Sequence, residues 1–180
     1  IVSLKAVGND ASLPVTKIDK STWRVSTRGL TGELSLVYEV YAQDPSVRLA
    51  YLDCERAFFN PSSLLLCPLG FENEPITLDL IKNDSPAYQH WQVATGLVRD
   101  KATKRWRFGR YHADNYEQLI DCPVEMGDFK TLSFKAHGVR HDIVLSGHIP
   151  AFDEVRLVTD VKAACERTIE LFDPKAKKAP

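Results

Sequence analysis

The chain has 180 residues, 44% of them hydrophobic, and its 23 Lys and Arg nearly balance its 24 Asp and Glu. This composition predicts a globular chain with one ordinary hydrophobic core, and the charge balance gives no overall field that would attract nucleic acid or an anionic membrane. The apolar runs are too short to span a bilayer, and the opening IVSLKAVG lacks the length and the basic residues of a secretory signal.

Short strands are predicted first along the chain. In GELSLVYEVYA, alternate positions from Leu34 to Val40 are apolar, which is the period of a half-buried strand. The turn at Asp44-Pro45 leads into VRLAYLD, so we expect these two segments to pair antiparallel. After a second turn at Asn60-Pro61, further strands are predicted in SLLLC and in PITLDLIK.

A third pair of strands is predicted in HWQVATGL and KRWRFGRYH, joined by the charged segment 98–104. No helical pattern interrupts this series of strands. Regular short strands of this kind indicate an antiparallel β-sandwich or a large curved sheet. We assign them to an N-terminal β-domain, residues 1–112.

The pattern changes after His112. Asp114, with Glu117 three residues later, resembles a capping box for a short helix in NYEQLID, and DCPVEMG is predicted as a turn into a hairpin over 131–146. Asp153 is placed to cap a long helix, 154–172, which Pro174 would end, and the tail KAKKAP is predicted to be solvated. The fold class is therefore mainly β (α+β), with a hairpin and one long C-terminal helix after the β-domain.

The predicted hairpin carries two histidines four residues apart, in HGVRH, and this spacing raises the question of a metal site. On a helix it would place both imidazoles on one face, and the zinc motif H-E-x-x-H adds a glutamate where this sequence has Gly138. The flanking alternation predicts strands instead, on which residues four apart lie about 13 Å from one another. We therefore predict a hairpin tip at His137 and His141, with no metal ligand and no cofactor in this chain.

The predicted long helix has a broad apolar face. Its main stripe and the residues that widen it are Val155, Val158, Val161, Cys165, Ile169 and Phe172, with Leu157, Ala164 and Leu171. One hairpin covers only part of such a face, and bare apolar patches of this size rarely persist on soluble monomers. We expect either self-association through this helix or its coverage by another part of a larger protein.

Two aromatic clusters each have two interpretations. The basic segment KATKRWRFGR has the residue types that stack on single-stranded nucleic acid, but a solvated hairpin explains it more simply. A free-standing β-sandwich module would use Trp91, Trp106 and the basic hairpin to hold a carbohydrate or peptide. Trp23, Trp91 and Trp106 would form a sugar-stacking platform on a sandwich, or would be ordinary core residues. The sequence does not separate the last two cases.

A carboxylate cluster surrounds the DCPVEMG segment and consists of Asp121, Glu125 and Asp128. Several acids on a rigid bend would receive an ammonium group, whereas aspartates at turns commonly accept hydrogen bonds from nearby backbone N–H groups. The sequence has no G-x-S-x-G elbow, no recognisable Cys–His pair and no phosphate-binding glycine loop, so it predicts no catalytic residue. The four cysteines are scattered without a C-x-x-C pair, which favours separate thiols in a reducing compartment.

The same segments resemble, in order, the N-terminal region of the glycyl aminopeptidases, which are zinc metallopeptidases of family sixty-one. The likeness is carried by WRV, LVYEVYAQDPSVRLAYLD, FFNPSSLLLCPLG, HWQVATGL and, above all, NYEQLIDCPVEMGDF followed by HDIVLSG. It extends through nearly the whole chain. It is most specific from Asp121 to Gly127, where Cys122 stands at a position that the family more often fills with serine.

The resemblance implies a three-part enzyme with an N-terminal β-domain, a thermolysin-like zinc domain and a PDZ-like domain. This chain would contain the first part, without its first strands, and the start of the second, residues 113–180. Zinc is implied only for the full-length parent, because the family's H-E-x-x-H helix has no counterpart here. The expected partners are the remainder of the catalytic domain and a peptide with a small N-terminal residue, whose α-amino group Asp121 and Glu125 would bind.

Overall fold

A computed structural model describes residues 1–173 and residue 175. This part of the chain contains fourteen strands: β1 (Ser3–Gly8), β2 (Ala11–Leu13), β3 (Val15–Lys17), β4 (Trp23–Val25), β5 (Ser35–Glu39), β6 (Ala50–Leu52), β7 (Arg56–Phe59), β8 (Ile76–Leu80), β9 (Gln92–Thr95), β10 (Val98–Arg99), β11 (Gly109–Ala113), β12 (Val124–Gly127), β13 (Phe129–Ala136) and β14 (Val139–Ser146). Its α-helices are α1 (Pro61–Leu64), α2 (Tyr116–Ile120) and α3 (Glu154–Phe172). The predicted β-rich α+β class is confirmed.

The strands form several small antiparallel sheets. A four-stranded sheet has the order β6-β7-β12-β9, two three-stranded sheets have the orders β2-β1-β5 and β10-β11-β8, and β3-β4 and β13-β14 are two-stranded. The core lies between the four-stranded sheet and the sheet that contains β11. It includes Val93, Leu97, Tyr111, Leu119 and Val124, of which Tyr111 is only 1% exposed.

One predicted strand pair is reduced to a bridge, and a second is wrong. β5 pairs with β1 over five residues and β6 pairs with β7. The segments GELSLVYEVYA and VRLAYLD still meet antiparallel where Leu52 N donates to Ala42 O at 3.0 Å, beside an isolated bridge between Gln43 and Tyr51. Asp44 and the residues after it form a loop, in which its carboxylate accepts from the N–H of Ser46. Similarly, β9 pairs with β12, while β11 pairs with β8 and β10. Local alternation predicts a strand but does not specify its partner, because partners are set by packing between distant segments.

The predicted strand in SLLLC is also wrong. The helix α1 ends within this segment, at Leu64, and residues 65–67 form no strand. The helix starts at Pro61, and the carboxamide of Asn60 before it accepts from Ser62 N at 3.0 Å. Pro61 occupies the first helical turn. Backbone N–H groups in that turn have no partner within the helix, so proline, which has no N–H, costs the helix no hydrogen bond there. The pair Asn60-Pro61 therefore starts a short helix instead of a turn into a strand.

The segment DCPVEMG is a strand where a turn was predicted. Its residues from Val124 to Gly127 form β12, which hydrogen-bonds to β7 on one side and to β9 on the other. Val124 is fully buried. Because β12 lies in the interior of the four-stranded sheet, Glu125 occupies a fixed position on one face of that sheet, as strand geometry requires.

The two predicted helices are confirmed. The cap of α2 is Asn115, one residue later than expected, and its side chain accepts from Gln118 N at 2.8 Å. Asp153 caps α3 as predicted and accepts from Arg156 N at 3.0 Å. Pro174, predicted to end α3, lies outside the described residues, as does the tail KAKKAP except for Lys175. No helix in the described part of the chain has both the length and the apolar character of a membrane span.

The hairpin formed by β13 and β14 is closed by a two-residue turn at His137 and Gly138. Both residues have positive φ, 46° and 80°, as a hairpin turn that matches the strand twist requires, and glycine adopts such angles without steric cost. The helix α3 packs against β13. None of the residues of α3, all of which are described, is buried, and Leu171 and Phe172 are 75% and 83% exposed.

Candidate functional site

A groove lies between one face of the four-stranded sheet and the β13-β14 hairpin. In the sheet, Glu125 is paired directly with Phe58 and with Ala94, so these three side chains share a face. The groove has a volume of about 380 Å³. It is lined by Phe58, Ala94, Thr95, Gly96, Trp106, Pro123, Glu125, Asp142 and Val144.

The carboxylate of Glu125 is held by Arg56. Arg56 Nε donates to Glu125 Oε1 at 3.0 Å, and Nη2 donates to Oε2 at 3.1 Å. Only 14% of the Glu125 side chain is exposed, and the guanidinium of Arg56 also lies 5.6 Å from the ring of Tyr51. A carboxylate has about four lone-pair sites, so this two-bond pair fixes its orientation and leaves capacity to accept from a further cation.

A second carboxylate, Asp142 on β14, lines the same groove. It accepts from Ser133 Oγ at 2.7 Å and from Arg140 Nε at 3.2 Å, and it also pairs with Arg105. Partial burial raises the pKa of this carboxyl, but the hydrogen bonds from Ser133, Arg140 and Arg105 outweigh it, so its pKa lies below the usual value. Asp142 is therefore ionised at neutral pH, as a partner for a cation must be.

Trp106 forms an apolar wall of the groove. Its φ of 60° lies in the left-handed region, which is an outlier for a bulky residue and marks stored backbone strain. Val93 N donates to Trp106 O at 3.3 Å, and the indole packs edge-on against Phe129 with ring centroids 5.7 Å apart. The guanidinium of Arg105 lies 4.7 Å from the same indole, within cation–π range.

The structure brings together only part of the predicted carboxylate cluster. Asp121 follows α2 and is exposed, its N–H donates to Glu117 O at 3.1 Å, and it does not line the groove. Asp128 is exposed as well. The residue that sequence analysis missed is Asp142, because its role depends on the hairpin folding over the sheet and no local pattern signals this.

The basic segment is partly neutralised within the chain, and the three tryptophans line three different pockets. Arg105 pairs with Asp142, and Arg110 binds Asp79 with two bonds of 2.8 Å each, so part of the positive charge is already offset within the chain. Trp91 is buried, with 6% of its surface exposed, while Trp23 and Trp106 are half-buried. Within the described residues, the three tryptophans therefore present no contiguous exposed platform.

The described residues do not fit the zinc ion that the family resemblance implies for a full-length parent. They contain no group of three or more His, Cys, Asp or Glu arranged to hold a metal. His137 Nε2 lies 3.5 Å from Glu170 Oε1 on α3, whereas His141 stacks on Phe134 with ring centroids 5.1 Å apart. The two imidazoles therefore make separate contacts and share no ligand position.

Comparisons with known proteins identify a family and a similar solved structure. The family described as the peptidase M61 N-terminal domain matches residues 1–128. The crystal structure of an aminopeptidase N family protein from Idiomarina loihiensis is similar over 96% of this chain, with a TM-score of 0.85 and 40% sequence identity, and this chain spans 28% of that one. No curated protein matches the sequence. The family match thus includes all of β12 and ends at Asp128, immediately before β13.

Proposed function

Since this chain belongs to the peptidase M61 family and matches its N-terminal domain, we propose that it is the non-catalytic N-terminal part of a zinc aminopeptidase that releases small N-terminal residues such as glycine. The family match over residues 1–128 is the observation that carries the proposal. The 40% identical neighbour, described as an aminopeptidase N family protein, supports action at a peptide N-terminus. In this proposal the zinc ligands come from the rest of the parent protein.

The boundary between the two parts of the parent is also a proposal. The division predicted at residue 112 stays a prediction, but β12 hydrogen-bonds to β7 and β9 within one sheet. The family match also continues to residue 128. Both observations support a later boundary, with the second part starting at β13. In this proposal Glu125 belongs to the N-terminal domain.

Within the parent, Glu125 binds the α-ammonium group of the substrate. A desolvated ammonium needs a carboxylate partner, and the Arg56 pair fixes this carboxylate while leaving it lone pairs. Phe58 and Trp106 line the groove beside it, and their apolar surfaces exclude water and so strengthen a charge pair. The limited volume, about 380 Å³, favours a small side chain next to that amine.

This role predicts a kinetic effect in the full-length enzyme. Glu125→Gln removes the negative charge and keeps the shape, so we expect kcat/KM for peptides with a free small N-terminal residue to fall roughly tenfold. Asp121→Asn is the matched control, because Asp121 is exposed and lies outside the groove, and it should leave kcat/KM unchanged. If the Glu125→Gln enzyme folds and its kinetics are unchanged, the Arg56–Glu125 pair has a structural role and does not bind substrate.

The exposed apolar residues of α3 support a further part of the proposal, namely that the rest of the catalytic domain covers this helix. Alone, the chain should then associate with itself, since Leu171 and Phe172 are largely exposed. Sedimentation velocity should show a mass that rises with protein concentration. The rise should disappear in a Leu171→Glu, Phe172→Glu double variant but persist in Val98→Glu, which changes an apolar residue that is 61% exposed on β10. A wild-type chain that stays monomeric at high concentration would contradict the proposal that the rest of the catalytic domain covers α3.

A further inference from the structure

Trp106 closes one side of the groove that contains Glu125. In the four-stranded sheet, Phe58 lies on one side of Glu125 and Ala94 on the other, each about 5 Å away between Cα atoms. The strand that carries Ala94, β9, is the last strand of this sheet. Trp106 O accepts from Val93 N at 3.3 Å, so Trp106 lies along the outer edge of β9, beyond Ala94.

The two sides of Glu125 differ in the size of their side chains. On one side, the ring of Phe58 fills the space above β7. On the other side the groove is lined by small side chains, namely Ala94, Thr95 and Gly96. An ammonium group on Glu125 therefore has room for the side chain next to it above β9. The indole of Trp106 lies at the far end of that room.

Trp106 is held in a fixed position. Its φ of 60° is rare for a bulky residue, and such strained conformations persist where the surrounding structure enforces them, most often at functional sites. The indole packs edge-on against Phe129, with ring centroids 5.7 Å apart, and the guanidinium of Arg105 lies 4.7 Å from it. Arg105 is itself paired with Asp142 on β14. The indole is thus a rigid wall, because it is supported from both the loop before β11 and the hairpin.

We propose that Trp106 is the residue that restricts the parent enzyme to small N-terminal residues. With the α-ammonium group on Glu125, the side chain of glycine or alanine fits above Ala94, whereas the side chain of leucine meets the indole. This inference rests on the proposed function and adds to it the residue that determines specificity. It assigns the size limit to Trp106 and not to Phe58, which lies on the other side of Glu125.

The test compares kcat/KM of the full-length enzyme for the p-nitroanilides of leucine and glycine. The ratio of the two values does not depend on the fraction of active enzyme, so a loss of stability does not disturb it. Trp106→Ala should raise the leucine-to-glycine ratio about tenfold, and Trp106→Phe should raise it less. Trp23→Ala is the matched control, because Trp23 is also half-buried but lines a different pocket, and it should leave the ratio unchanged.

Two kinds of failure can be told apart. A full-length wild-type enzyme that releases no N-terminal glycine overturns the proposed function and this inference with it. An enzyme that releases glycine, but whose leucine-to-glycine ratio is unchanged in Trp106→Ala, overturns this inference alone. Equal losses of kcat/KM for both substrates would have the same meaning, since they would show that Trp106 only supports the groove. If Trp106→Ala does not fold, an unchanged ratio in Trp106→Phe overturns the inference.

Discussion

Replacing Arg56 with methionine is expected to lower the free energy of unfolding by about 2 kcal/mol, because it leaves a mostly buried carboxylate without its partner. The side chains of Arg56 and Glu125 are 27% and 14% exposed, so water cannot fully replace the lost guanidinium. Methionine keeps the apolar stem of the side chain and removes only its charge and donors. Urea unfolding followed by tryptophan fluorescence measures the change.

Arg110→Met provides the matched comparison for the Arg56 variant. Arg110 also binds a carboxylate with two bonds, to Asp79, but these side chains are 55% and 45% exposed. Exposed pairs contribute little to stability, so its loss should lower the free energy of unfolding much less than the loss of the Arg56 pair. Adding Glu125→Gln to Arg56→Met should restore most of the stability, because no unpaired charge then remains. Equal losses in the Arg56 and Arg110 variants would show that the groove does not desolvate Glu125.

The second large effect is expected for Gly127→Ala, which should cost about 3 kcal/mol. Gly127 ends β12 with φ of 149°, a conformation that residues with a side chain rarely adopt. A Cβ there would lie 3.0 Å from Glu55 O and 3.3 Å from Arg56 Cα. Because these contacts are to backbone, β7 and the Arg56–Glu125 pair would have to move.

Gly147→Ala separates the two causes of the destabilisation expected for Gly127→Ala, which are the unfavourable backbone conformation and the steric contacts of the added Cβ. Gly147 also has positive φ, 78°, but an added Cβ would meet no heavy atom within 4 Å. That variant should therefore lose only about 1 kcal/mol, which is the conformational part alone. A Gly127→Ala protein as stable as Gly147→Ala would show that β7 and β12 can separate without cost, and it would remove the steric reason for a glycine at this position.

Sequence reasoning predicted the elements whose structure is determined locally. The hairpin turn at His137-Gly138 needs positive φ at both positions, and Asp153 caps α3 through a residue three positions away, so each signal lies within a few neighbours. The partners of β5 and β9 could not be predicted in the same way. They are determined by which distant apolar faces pack together, and β1, the partner of β5, lies far from it in sequence.

The contacts of the candidate site also could not be predicted from local sequence patterns. The segment Asp121–Gly127 could be recognised by its resemblance to a family, and Glu125 within it could be selected as a carboxylate for an amine. Its bond to Arg56 spans 69 residues, so no local pattern indicates it. Asp142 reaches the groove only because the hairpin folds over the sheet, and its sequence neighbours give no sign of that. For such residues, three-dimensional packing supplies the information that short sequence patterns lack.

Zinc content and aminopeptidase activity of the full-length protein, measured beside those of the 180-residue chain, test the proposed function most directly. We expect the full-length protein to retain zinc after metal-free preparation and to release glycine from peptides with a free N-terminus. The chain alone should bind no stoichiometric zinc and show no such activity. Defined zinc occupancy in the chain alone, particularly through His137 or His141, would contradict this division of roles. So would a folded, zinc-loaded full-length protein that leaves N-terminal glycine uncleaved.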